Sequence, residues 1–179
     1  MVLLYVVFLG LLLVFLIVYY FRMLLHAHFL NRMANFYNEA MANRKKRLFD
    51  GLYQVKAKRG DGNLVVLEVG CGPGANFQFF PPGCEVICVD PNSHYEAIVR
   101  NKVREFPDLR VSQFHVGSAE NLRDFVEAES VDAVVITMVL CTVIDVVRSL
   151  QEIIRVLKPV SRHVACIVTI ITMLRSMRH

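Results

Sequence analysis

The chain has 179 residues, a formal net charge of +4 and an apolar fraction of 55%, which is room for one ordinary domain plus an appendage but not for two full domains. The charge is mild and its basic residues lie in short clusters rather than interleaved with aromatics, so nucleic acid is not an expected partner. The five cysteines, Cys71, Cys84, Cys88, Cys141 and Cys166, are odd in number and include no CxxC pair; they read as reduced thiols, small apolar core residues in the main, and no metal site is expected.

Residues 1–22 carry a charge-free run, VLLYVVFLGLLLVFLIVYYF, long enough to cross a bilayer core of about 30 Å. Tyr19, Tyr20, Phe21 and Arg22 follow where a signal peptide would place small residues for cleavage, so the segment is expected to stay as an anchor. Arg22, Arg32 and the run Arg44-Lys45-Lys46-Arg47 all lie after it, which puts the body on the cytosolic side. A buried core helix and a non-crossing interfacial anchor are the two alternatives.

Residues 31–59 read as an amphipathic connector helix, in which Met33, Phe36, Tyr37, Met41, Leu48, Phe49 and Leu52 recur at helical spacing. Its basic run is suited to anionic lipid heads or to a solvated helix face. The turn cluster Gly60-Asp61-Gly62-Asn63 opens a globular part over residues 60–159. There, Leu64 to Val69 is a short run rich in β-branched residues leading into Gly70-Cys71-Gly72-Pro73-Gly74, then Ala75-Asn76-Phe77: strand, glycine turn, helix start. Glycines suit a sharp reversal where a cofactor approaches the backbone. By spacing alone, Gly70, Gly72 and Ala75 also satisfy GxGxxA, so a nicotinamide or flavin site stays open.

Glu68 separates the two readings, because a carboxylate two residues before the first glycine repels a pyrophosphate but favours a sulfonium and an ammonium. The strand Glu85 to Val89 ends in Asp90, at about the twenty-residue spacing expected of an acid that holds ribose hydroxyls. Asn92 is a candidate for the adenosine pocket or a simple turn residue. Next come a helix from His94 to Phe106, a strand from Leu109 to Val116, and a helix from Ser118 to Ala128 with Ser118 as its cap. A strand from Val131 to Thr137 and an amphipathic helix from Val146 to Leu157 complete the alternation, which predicts an α/β, Rossmann-like parallel sheet covered on both faces. Glu68, Gly70 to Gly74, Asp90, Ser118 to Glu120 and Thr137 all fall at the carboxyl ends of strands, where such sheets bind ligands.

The segments LEVGCGPGANFQFFPPGCEVICVDPN, GSAENL, SVDAVVITMVLCTV and EIIRVLKP resemble class I methyltransferases. With FYNEAMANRKKRLF and the apolar N-terminus, the chain from about Phe36 to Pro159 is similar to the membrane-anchored alkyl-thiol S-methyltransferases. The resemblance implies S-adenosylmethionine as cofactor and small thiols as acceptors, at the endoplasmic reticulum membrane or lipid-droplet surface, with membrane lipids as further partners. It implies that Glu68, Gly70, Cys71, Gly72 and Gly74 form the cofactor loop and that Asp90 holds the ribose, with Asn92 nearby. Ser118, Ala119 and Glu120 then border the adenine, and Thr137 sits near the methionine end. No catalytic base is named, since a thiol needs little acid-base help; His94 and His115 are candidates in type only. Residues 160–179 depart from the family pattern after RVLKP as an atypical apolar tail, in which Val164 to Leu174 suits a fifth strand or a membrane surface. The sheet is therefore expected to be C-terminally incomplete, and a non-catalytic form that keeps the anchor is the second reading.

Overall fold

A computed structural model describes residues 2–59, 63–159 and 166–169. The first element, α1 (Val2–Arg59), is one helix of 58 residues. The first proline of the chain is Pro73, so nothing in this stretch removes a ladder hydrogen bond or clashes with the preceding turn. The anchor and connector segments are thus parts of one rod. Leu4 to Phe21 expose their apolar side chains to the surroundings, whereas Phe49 and Leu52 are buried in the domain core.

Five parallel strands follow: β1 (Leu64–Val69), β2 (Cys84–Asp90), β3 (Leu109–Val116), β4 (Ala133–Thr137) and β5 (Cys166–Thr169). Their spatial order is β3-β2-β1-β4-β5, so the chain winds one way from β1 to β3 and the other way from β4 to β5. The reversal falls between β1 and β4, and ligands of such sheets bind outside the strand ends at that point. Leu64, Val66, Leu67 and Val69 on β1 and Ala133 to Ile136 on β4 are all buried. Side chains on both pleat faces are therefore covered, the mark of an interior parallel strand.

Two expected helices turn out differently. After the glycine turn there is a single 3-10 turn, Phe77–Phe79, which ends with Phe80 extended at φ −71°, ψ 143°. Pro81 and Pro82 follow, and a residue preceding proline is pushed out of the helical region. The segment opened by Ser118 is also 3-10, Ala119–Asp124, and the Ser118 side chain makes no capping bond to it. Among the described residues, two α-helices remain in the domain: α2 (Tyr95–Lys102) and α3 (Val146–Val156), the latter capped by Asp145, whose side chain accepts from the Arg148 amide. On α3, Ser149, Glu152, Ile153 and Val156 form the buried face, the i, i+3, i+4, i+7 stripe of an amphipathic helix. Of the atypical tail, residues 166–169 form the fifth strand against β4. Residues 60–62, 160–165 and 170–179 lie outside the described residues, as do the side chains of Met33, Phe36 and Tyr37.

Candidate functional site

The glycine turn has the backbone its composition suggests. Gly70, Gly72 and Gly74 have φ of +67°, +52° and +74°, a region that side chains with a Cβ rarely adopt. A Cβ on Gly70 would stand 2.1 Å from Val139 Cγ2, so the turn and the loop after β4 lie in direct contact. Over Gly72 there is open space. A ligand can therefore reach the Gly72 backbone without meeting a side chain. Cys71, between them, is buried and serves the core rather than the turn's outer surface. Burial and its contact with Cys88 push its thiol well above the ordinary range, which keeps it protonated and a poor nucleophile.

Glu68 stands at the end of β1, with 1% of its surface exposed. Its Oε1 accepts from Asn76 Nδ2 at 2.7 Å, and the same amide nitrogen donates to Thr137 Oγ1 at 3.0 Å. Asn76 Oδ1 in turn accepts from Lys45 Nζ at 2.7 Å. One asparagine thus ties β1, β4 and α1 together at the point where the strand order reverses. Glu68 Oε2 has no hydrogen-bond partner among the described residues, an expensive state for a buried carboxylate. Burial, only partly offset by Asn76 and by the Lys45 charge, raises the Glu68 pKa to about 7; burial likewise lowers that of Lys45 to about 8. Lys45 therefore does not share the role expected of its basic run. Arg44, Lys46 and Arg47 are exposed while Lys45 is 2% exposed, because it sits one turn before Phe49 on the face that packs against Phe79 and Phe80.

Asp90 ends β2 and faces the turn. Its Oδ2 accepts from the Gly72 amide at 2.9 Å and its Oδ1 from the Asn92 amide at 2.9 Å. A carboxylate offers about four acceptor positions, so two remain for a diol. Burial nevertheless raises its pKa. Of the two readings of Asn92, its Oδ1 makes the local turn by accepting from the His94 amide, while its Nδ2 donates to the Met23 carbonyl of α1. Its side-chain amide is committed to holding α1 on the loop. Glu120 is likewise committed in part, since its Oε1 accepts from the Ile144 and Asp145 amides and so pins the loop after β4. Although burial acts the other way, hydrogen bonds from Ser118 and from nearby backbone amides hold its pKa below the usual value. Ala119 is buried beside it. His94 lies edge-on to the Tyr20 ring, and His115 is stacked on Phe125 and bonded to Gln113.

The structure brings Glu68, the glycine turn, Asp90 and Thr137 to one edge and adds Asn76 and Lys45, which sequence reasoning missed. Asn76 was detectable as a short amide directly after the glycine turn, in a run otherwise rich in phenylalanine. Lys45 was detectable by phase, four residues before Phe49. The missing α-helix after the turn also weakens the dinucleotide reading, which needs a helix N-terminus under the pyrophosphate.

The family model described as a methyltransferase domain matches residues 67–165. Human thiol S-methyltransferase TMT1A is 44% identical over 132 residues, which cover 74% of this chain and 53% of that protein. Human thiol S-methyltransferase TMT1B is 43% identical over 123 residues, covering 68% and 49%. The chain thus spans about half the length of the curated relatives it matches. Among solved structures, a Galdieria sulphuraria protein assigned as a sarcosine dimethylglycine methyltransferase superposes with a TM-score of 0.54 at 20% identity, over 68% of this chain and 45% of that one; it shares the fold.

Proposed function

Because the chain belongs to the methyltransferase-domain family, we propose that it binds S-adenosylmethionine at the β1/β4 edge and transfers the methyl group to a small thiol. The observation that carries this reading is Glu68, a carboxylate buried with one oxygen unpartnered beside a glycine turn whose Gly72 faces open space. Such an oxygen calls for a cation or donor, and an amino-acid ammonium is both. Lys45, held on the same Asn76, is the matching partner for the carboxylate of that amino-acid end. Asp90 has acceptor positions left for ribose hydroxyls, and Thr137 completes the wall at the end of β4.

When bound, S-adenosylmethionine supplies an electrophilic sulfonium methyl. The chain's own task is to orient it and keep the acceptor in line, which can account for several kcal/mol of barrier. A thiol with a pKa near 8.5 already presents a few per cent of thiolate at neutral pH, so no protein base is required. The thiol acceptor is supported by the names of the relatives. The stretch Leu4–Phe29, long and apolar enough to cross a membrane, supports anchoring with the domain on the cytosolic side, at the endoplasmic reticulum or lipid-droplet surface that the family resemblance implies.

The test is calorimetry of S-adenosylmethionine with the full chain in lipid nanodiscs, with Asp90→Ala as control. Saturable binding weakened ten- to a hundredfold in the variant is expected, the loss of one charge-assisted hydrogen bond worth about 1.5 to 3 kcal/mol. Absent binding, or binding indifferent to Asp90→Ala, overturns the reading. Binding with no methylation of any small thiol favours the second one, a membrane-anchored form that holds cofactor without turnover.

A further inference from the structure

The apolar stretch Leu4–Phe29 has 26 residues and is about 39 Å long at the helical rise. A hydrocarbon core of about 30 Å takes up roughly 20 of those residues. The charge-free part ends at Phe21, and Tyr19, Tyr20 and Arg22 mark the boundary by type. The last turns, from about Met23 onward, are then left at the level of the lipid headgroups.

Those same turns touch the domain. Tyr20, Met23 and Ala27 recur on one face of α1. The Tyr20 ring meets the His94 ring at 4.8 Å, the Met23 carbonyl accepts from Asn92 Nδ2 at 3.2 Å, and Ala27 is 0% exposed. Leu25 and Phe29, on other faces, remain exposed. The partner of Tyr20 and Met23 is the loop directly after β2, and the backbone amide of Asn92 in this loop donates to Asp90. A chain of two hydrogen bonds, Met23 to Asn92 to Asp90, thus joins the end of the anchor to the acid at the strand edge. At the same carboxyl edge, the loop after β4 exposes Met138 and leaves Ile144 99% exposed, apolar side chains that suit an interface with lipid better than water.

We propose that the Tyr20–Ala27 turns of α1 form a wall of the cofactor mouth and hold the carboxyl edge of the sheet against the lipid headgroup layer. The proposal rests on the anchored, cofactor-binding reading above. Membrane insertion and cofactor binding are then coupled through Asn92: a helix displaced from the loop releases the backbone that orients Asp90.

The chain contains no tryptophan, so a single introduced one reports its own depth. In nanodiscs containing phosphatidylcholine spin-labelled at the headgroup, Ile144→Trp should be quenched at least twofold more than Asp108→Trp, which lies at the opposite edge before β3. Equal quenching at the two positions, or none at residue 144, overturns the docking, and this arm needs no cofactor. In the second arm, Ala27→Trp should weaken S-adenosylmethionine binding about tenfold while Leu11→Trp, in mid-span, leaves it unchanged. Unaltered affinity in Ala27→Trp overturns the coupling. A parent chain that binds no cofactor at all fails the methyltransferase reading instead, and the quenching arm still decides the docking.

Discussion

Glu68 and Glu152, two of the carboxylates buried in this domain, are treated in opposite ways. Glu152 on α3, 2% exposed, is met by Arg123 and Arg155 at 2.9 Å and by the Arg123 amide at 2.7 Å. Burial is outweighed by those donors, and its pKa falls to about 2. Glu68 at the end of β1 is as buried, has one amide donor, keeps an oxygen without a partner, and is pushed up to about 7. Glu152 joins the 3-10 segment Ala119–Asp124 to α3 through a full set of donors, and breaking such a pairing costs several kcal/mol. A carboxylate left half-answered at the reversal of the strand order is set against folding and toward a ligand.

The largest effect that separates the two concerns pH. A carboxyl whose folded pKa is raised from 4.5 to about 7 stabilises nothing above that range. Stability it leaves intact below pH 4.5 is lost as pH rises through 7, to a limit of about 3 kcal/mol. Glu68→Gln should therefore be as stable as the parent chain at pH 5 and more stable by about 2 kcal/mol at pH 8, after allowing for the amide's own unpaired donor. Urea unfolding at the two pH values checks this, and a variant less stable at pH 8 would count against a strained Glu68. The same variant should lose at least tenfold in S-adenosylmethionine affinity.

Glu152→Gln should behave in the reverse sense, losing about 2 kcal/mol at pH 7 because Arg123 is largely exposed and can turn to solvent. Its depressed pKa means that the parent chain holds this contribution above pH 4.5 and loses it as pH falls toward 2. Cofactor affinity should not change, which calorimetry on the same sample tests. The smallest effect is expected from Lys45→Met: about a tenfold loss in cofactor affinity, near 1.4 kcal/mol, with unfolding free energy unchanged or slightly raised, since a buried ammonium is replaced by an apolar side chain of similar length.

Much of this arrangement was legible in the residues. The strand Leu64–Val69 follows from a β-branched run closed by a glycine turn, a signal that depends on nearest neighbours alone. The glycine turn was equally plain, since three positive φ values need three glycines. The helix expected after it failed on a local signal that was available, Pro81-Pro82, which leaves too few residues after Gly74 for an α-helix. Asn92 suits by type either pocket lining or a turn, and its Oδ1 does accept from the His94 amide two residues on; its other partner, the Met23 carbonyl, lies 69 residues away, and no local pattern encodes such a contact.

By itself the sequence determined the alternation of strands and helices, the apolar rod at the N-terminus, and the residue types at the carboxyl edge, because hydrophobic period, chain stiffness and turn chemistry act over a few residues. Only the tertiary structure decided which member of the basic run turned inward and that Glu68 kept an oxygen unanswered beside the glycine turn. It also decided that α1 closes on the loop beside Asp90. Those outcomes depend on the phase of a 58-residue helix against a sheet, and that phase is set by contacts between segments far apart in the chain.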